Sequence, residues 1–96
     1  MAKLLTETEI QKKLVTVPDW KHEGKTIWCE KKLTGFKSAL AFVNQVGELA
    51  EAMFHHPDIL IHGYKNVRLT LTTHDAGGLT VMDFELAKRI KGLLIS

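Results

Sequence analysis

Residues 51–75 read EAMFHHPDILIHGYKNVRLTLTTHD, and within this stretch the apolar pattern changes from a helical period to a strand period. Apolar residues recur every three or four positions over residues 36–54, which predicts a long amphipathic helix with Thr34 as its N-cap. Proline disfavours helical conformation at the residue before it, so Pro57 limits this helix. Residues 59–62 and 67–73 then give strand signals on either side of a glycine-containing turn, which predicts a β-hairpin. The clean alternation of residues 67–73 predicts one buried face. The predicted apolar stripe of the helix is Phe36, Ala39, Leu40, Val43, Val46, Gly47, Ala50, Met53 and Phe54.

The rest of the chain repeats this combination of helix and hairpin. Residues 6–9, TETE, form a capping-box pattern that predicts a first helix over residues 7–15. Aromatic and β-branched residues over 20–31 predict a first hairpin. Thr80 and Asp83 form a second capping box, which opens a last helix. The apolar stripe predicted for that helix is Met82, Leu86, Ile90 and either Leu93 or Leu94.

The resulting order, α-β-β-α-β-β-α, predicts an α+β fold. Two hairpins with one apolar face each favour a four-stranded antiparallel sheet with helices packed on one face. The length of 96 residues is that of one domain, residues 1–96. A net charge of +2 without a dense basic cluster does not favour nucleic-acid binding.

Cysteine usage and hydropathy bear on the cellular compartment. Cys29 is the only cysteine, which excludes an intrachain disulfide and a multi-thiolate zinc site. No stretch approaches the roughly 20 apolar residues of a membrane span, and the N-terminus has no apolar core of signal-peptide length. We therefore expect a cytoplasmic protein without membrane association.

Four of the five histidines fall within the quoted stretch, and three of them, His55, His56 and His74, are candidates for one site. The hairpin that follows His56 is expected to bring His74 back beside the end of the long helix. Glu51 lies four residues before His55, a spacing at which helical side chains meet, so we expect its carboxylate to orient the His55 ring. Imidazoles titrate near neutral pH, so this cluster suits acid–base catalysis.

Other interpretations compete with catalysis. A single histidine is more often a surface or capping residue, and three histidines could bind zinc. Adjacent residues of a helix point about 100° apart, which makes chelation of one ion by His55 and His56 difficult. The sequence therefore favours proton transfer over a metal site. For Asp83 and Thr80 the structural role in the capping box is the favoured interpretation.

One spacing pattern covers 33 residues of the chain. The pattern is Glu51-x3-His55-His56-Pro57-x6-Tyr64-x9-His74-x8-Asp83, where x is any residue. This pattern resembles the signature of the pterin-4a-carbinolamine dehydratases, and residues 72–80, TTHDAGGLT, resemble that family's second characteristic stretch. Ile59 departs from the pattern, because some members of the family have an aromatic residue at this position.

The resemblance implies dehydration of 4a-hydroxytetrahydropterins to quinonoid dihydropterins, as part of tetrahydropterin recycling and without a metal or organic cofactor. It implies that His55 and His74 are the acid–base residues and that Glu51 supports the site. The substrate-binding residues that it implies are His56, Pro57, Thr72, Thr73 and Asp75.

The resemblance also implies partners and alternative roles. Relatives are dimers or tetramers, so we expect a homodimer or homotetramer. An aromatic amino acid hydroxylase is a candidate partner. The alternatives are a protein-binding cofactor for a hydroxylase or a transcription factor, and a dehydratase that acts on a pterin related to molybdopterin.

Overall fold

The computed structural model of the protein describes residues 3–93, and the elements follow the predicted order. These are α1 (Glu7–Leu14), β1 (Lys21–Glu23), β2 (Thr26–Lys32), α2 (Phe36–Met53), β3 (Asp58–His62), β4 (Asn66–Leu71), a 3₁₀ turn (His74–Ala76) and α3 (Val81–Lys91). The predicted α+β fold is confirmed. Leu94, a candidate for the stripe of α3, lies outside the described residues.

The four strands form one antiparallel sheet in the order β1-β2-β4-β3. Across three neighbouring strands, Cys29 of β2 lies opposite Leu69 of β4, and Leu69 lies opposite Ile59 of β3. Side chains of β2 and β4 that face the helices are buried, whereas Arg68 on the other face is exposed and stacks 4.5 Å from the Trp28 ring centroid. The helices therefore cover one face of the sheet, as the one-sided alternation predicts.

Both predicted capping boxes are present. Thr6 and Glu9 exchange hydrogen bonds at the start of α1, and Thr80 and Asp83 do so at the start of α3.

The hydrophobic core joins the three helices to the covered face of the sheet. Its buried apolar residues are Ile10, Val17, Trp20, Ile27, Cys29, Leu33, Ala39, Phe42, Val46, Ala50, Val67, Leu69, Leu71, Leu79, Phe84, Leu86, Ala87 and Ile90.

The predicted apolar stripe of α2 is wrong in part, because the helix carries two apolar faces. The buried residues of α2 are Ala39, Phe42, Val46 and Ala50. Phe42 was missing from the predicted stripe, whereas Phe36 and Leu40, which belonged to it, are exposed. Periodicity identifies apolar positions on a helix, but two overlapping stripes look like one broad stripe in the sequence.

α2 begins at Phe36 as predicted, but its N-cap and its last residue each differ by one position from the prediction. Gly35, not Thr34, is the N-cap, because the Thr34 hydroxyl is hydrogen-bonded to the Ser38 hydroxyl instead. At the other end, Phe54 leaves the helix in the left-handed conformation, with φ 51° and ψ 39°. The backbone N–H of His55 then donates to the Ala50 carbonyl at 3.1 Å, which closes the helix in the manner of a Schellman motif.

The second hairpin ends earlier than the alternation predicts. β4 stops at Leu71, and His74 begins a 3₁₀ turn instead of ending the strand. Thr73 and Gly78 form an isolated bridge that closes this loop, and Gly77 supplies a left-handed residue with φ 78°. The loop returns the chain directly to the N-terminus of α3.

Within residues 3–93, no helix combines the length and the apolar character needed to cross a membrane.

Candidate active site

A shallow depression of about 200 Å³ opens where the end of α2 meets the loop after β4. Its lining residues are Phe54, His55, His56, Thr72, Thr73, His74 and Asp75. The three histidines expected to meet therefore share one depression. Its volume is below the range of about 300–1,000 Å³ typical of pockets for drug-sized ligands, so it suits a small ring system.

His55 is the buried member of the histidine group. Its position follows from the end of α2, because the left-handed Phe54 directs the next residue back beneath the helix terminus. The His55 ring then meets the first turn of α3, where Nε2 lies 2.6 Å from Oδ1 of Asp83. Charge-assisted hydrogen bonds of this kind are about twice as strong as neutral ones and fix the orientation of the ring.

Asp83 is fully buried, and both of its carboxylate oxygens have partners. Oδ2 accepts from the backbone N–H of Thr80 at 2.9 Å and from the Thr73 hydroxyl at 2.8 Å. Because a carboxylate only accepts, the Thr73 proton is used here, and the Thr80 hydroxyl must donate in its 2.8 Å contact with Thr73. The carboxylate thus joins α3, the loop after β4 and the end of α2.

This network determines which ring nitrogen of His55 is left for chemistry. An ionised Asp83 requires a proton on Nε2, so Nδ1 is the remaining site for a substrate. Nδ1 makes no hydrogen bond within residues 3–93, and no buried side-chain nitrogen or oxygen of this region lacks a partner. Nδ1 is therefore not fully enclosed, and His55 lines the depression.

The structure corrects the expected contact of Glu51. The Glu51 carboxylate lies 2.5 Å from Nε2 of His56, not against His55. An i,i+4 contact between Glu51 and His55 requires the helix to continue to His55. α2 instead ends at Met53, and the left-handed residue that follows rotates the next two side chains. Glu51 and His56 are both largely exposed, and of the two only His56 lines the depression.

The other predicted site residues, apart from Pro57, line the same depression. His74 and Asp75 are exposed on its rim. Thr72 lines it, but its hydroxyl donates to the Lys25 carbonyl at 2.7 Å in the first hairpin. Pro57 lies outside the lining and serves the turn from α2 into β3.

The capping box predicts the role of Asp83 at the start of α3 but gives no sign that Asp83 is also the partner of His55. The capping role is correct, yet one oxygen of the carboxylate is left over after capping, and a buried carboxylate needs a further donor. Phe54 is predicted as part of the apolar stripe of α2. Its position directly before the histidine pair is the signal that could have placed it in the depression. Both residues belong to the depression or its support.

Other reactive side chains lie elsewhere. Burial raises the pKa of the Cys29 thiol to about 12, so this cysteine is an inert core residue. His62 pairs with Glu30 on the uncovered face of the sheet, where hydrogen bonds from Arg68 and His62 lower the pKa of the Glu30 carboxyl. Among residues 3–93, no group of three or more His, Cys, Asp or Glu side chains is arranged to hold a metal ion.

The fold and the depression define a small α+β protein with a cleft lined by histidines and backed by a buried carboxylate. The family profile of the pterin 4 alpha carbinolamine dehydratases matches residues 3–93. The chain belongs to this family.

Individual relatives agree with this assignment. A protein of Cyanothece sp. named "Putative pterin-4-alpha-carbinolamine dehydratase" is 50% identical and aligns over 97% of this chain and 95% of its own. A protein of Chloroflexus aurantiacus with the same name is 51% identical over 94% of this chain and 96% of its own. The crystal structure of a transcriptional coactivator/pterin dehydratase from Brucella melitensis superposes with a TM-score of 0.85 at 30% identity, covering 91% of this chain and 94% of that one.

The buried network predicts a large loss of stability for Asp83→Asn. In the asparagine, an NH₂ group that can only donate replaces one carboxylate oxygen. This group faces a donor of the network, so at least one buried N–H or O–H loses its acceptor. We expect the free energy of unfolding, measured by urea denaturation, to fall by about 3 kcal/mol. Asp75→Asn, at an exposed position of the same depression, is the matched control and should change it by less than about 0.5 kcal/mol. Equal stabilities for the two variants would refute the network.

Proposed function

We propose that the protein dehydrates a 4a-hydroxytetrahydropterin to the quinonoid dihydropterin and water, in the recycling of tetrahydropterin. The observation that carries this proposal is the pairing of His55 with the buried Asp83 in the same depression as His74. Family membership and the names of the relatives support the same reaction. An aromatic amino acid hydroxylase would supply the hydroxylated pterin.

The reaction needs two proton transfers and no oxidant. The C4a–O bond breaks, and the leaving hydroxyl takes up a proton to depart as water. An electron pair from the ring system forms the new double bond, and a ring nitrogen loses its proton. An acid and a base on one cleft meet both requirements, and such catalysis contributes typically 10²–10⁴-fold.

We assign the base role to His55. When the Nδ1 atom takes a proton, the imidazole becomes positive, and the Asp83 carboxylate at the other ring nitrogen compensates this charge. The buried aspartate of the Ser-His-Asp triad supports its histidine in the same way. A carboxylate held by three donors needs little reorganisation when the charge forms, which is the general advantage of a preorganised site.

We assign the acid role to His74. It is exposed on the rim, and within residues 3–93 its ring makes no hydrogen bond to protein, so it can exchange protons with solvent between turnovers. His56, held by Glu51, and Asp75 are proposed to hydrogen-bond the polar edge of the pterin. Thr73 acts indirectly, because its hydroxyl supports Asp83.

The decisive assay follows the ultraviolet signal of freshly prepared 4a-hydroxytetrahydropterin. We expect the purified protein to accelerate its loss and His55→Gln or His74→Ala to reduce kcat/KM by roughly 10²-fold or more. Circular dichroism establishes that each variant is folded, and the exposed position of His74 makes its variant the safer test.

His62→Ala is the matched control, since it removes an exposed histidine from the uncovered face of the sheet and should keep full activity. EDTA should leave the rate unchanged. Full activity in both site variants would refute the assignment, and inhibition by EDTA that zinc reverses would favour a metal mechanism.

We also propose a homodimer or homotetramer. Phe36 and Leu40 leave an apolar face on α2 exposed. Beside it lies a groove whose lining combines Val43, Gly47 and Ile59 with Asn44, Glu48 and Glu51. Within residues 3–93, β3 pairs on one side only, so its outer edge is free to meet another strand.

Light scattering tests the oligomer. We expect a multiple of the monomer mass for the protein and a smaller mass for Leu40→Glu, because a buried charge at an apolar interface is unfavourable. Lys37→Glu, at an exposed polar position of the same helix, is the control and should keep the mass. A monomeric protein would contradict the proposal.

A further inference from the structure

Phe54 combines two unfavourable features on the rim of the depression. Its side chain is 88% exposed, and its backbone is left-handed, with φ 51°. Bulky residues rarely adopt this conformation, which suits glycine or asparagine. Within residues 3–93, only Tyr64 is another non-glycine residue with a positive φ.

The fold itself gives no reason for a phenylalanine at this position. The turn at the end of α2 is held by backbone hydrogen bonds to the Ala50 and Glu51 carbonyls, which glycine would also make. Met53 packs against the hydrophobic core, but Phe54 does not. Backbone strain and the exposed apolar area therefore both count against Phe54 in the isolated chain.

The depression supplies the missing reason. Apart from Phe54, its lining consists of histidine, threonine and aspartate side chains, which recognise polar edges and move protons. A fused bicyclic ligand also presents a flat face, and an aromatic ring beside His55 and His56 is suited to stack on it. Stacking of this kind is strong for heteroaromatic bases, and an exposed ring is free to make it.

We propose that Phe54 is the stacking platform for the pterin ring and thereby a specificity residue of the site. The inference rests on the proposed function for the identity of the ligand. The planar pyrimidinone half of the pterin lies against the Phe54 ring, and its polar edges face the histidine side chains that line the depression. The left-handed backbone places the aromatic ring over the rim instead of along α2.

The test is a fluorescence titration with unsubstituted pterin, 2-aminopteridin-4-one, which binds without reacting. We expect Phe54→Gly to raise the Kd about 5- to 100-fold, the range for loss of one stacked base. Phe54→Trp should keep the Kd within about threefold, because it preserves a stacking surface. Phe54→Gly should fold as well as the parent protein, since glycine relieves the positive φ.

Tyr64→Gly is the matched control. Tyr64 is also aromatic, exposed and left-handed, with φ 55°, but it lies in the turn between β3 and β4 and does not line the depression. The same substitution there should leave the Kd for pterin unchanged.

The outcomes separate the two proposals. An unchanged Kd for Phe54→Gly overturns the stacking platform, whatever the activity of the protein. A raised Kd accompanied by a smaller mass in light scattering assigns the ring to an interface with a second copy and overturns it too. Pterin binding that depends on Phe54 in a protein without dehydratase activity supports the platform and refutes only the proposed reaction. Failure of the parent protein to bind pterin refutes the platform.

Discussion

The buried carboxylate of Asp83 is the interaction on which the site depends. It accepts hydrogen bonds from the Thr80 backbone, the Thr73 hydroxyl and the His55 ring, and these donors come from three different parts of the fold. A buried charge without such partners would cost several kcal/mol, so the three segments are held together by the need to satisfy it. The same carboxylate therefore caps α3 and orients the His55 ring.

The left-handed end of α2 is the second constraint. If α2 had continued past Met53, His55 would lie on the helix surface beside Glu51, as the sequence spacing suggests. The turn at Phe54 instead sends His55 towards Asp83 and leaves Glu51 to His56. One backbone conformation thus divides the histidine pair into a buried member with a carboxylate partner and an exposed member.

Much of the fold could be predicted because its signals are local. The periodicity of apolar residues predicts α2 and the second hairpin, and the capping box of Thr80 and Asp83 predicts the start of α3. The contact between His55 and Asp83 could not be read in this way, since it joins residues 28 positions apart and a capping box already explains the aspartate. The conformation of Phe54 was equally hidden, because a phenylalanine gives no sign of a left-handed turn.

The most direct test of this account is the protonation of the His55 ring, measured by ¹H–¹⁵N NMR correlation of the imidazole nitrogens at pH 7. A carboxylate that is ionised and accepts at 2.6 Å requires a proton on Nε2, whether the ring is neutral or charged. We predict that Nε2 carries a hydrogen-bonded proton and that the signal of this proton is lost in Asp83→Asn. A neutral ring that carries its proton on Nδ1 alone would contradict it.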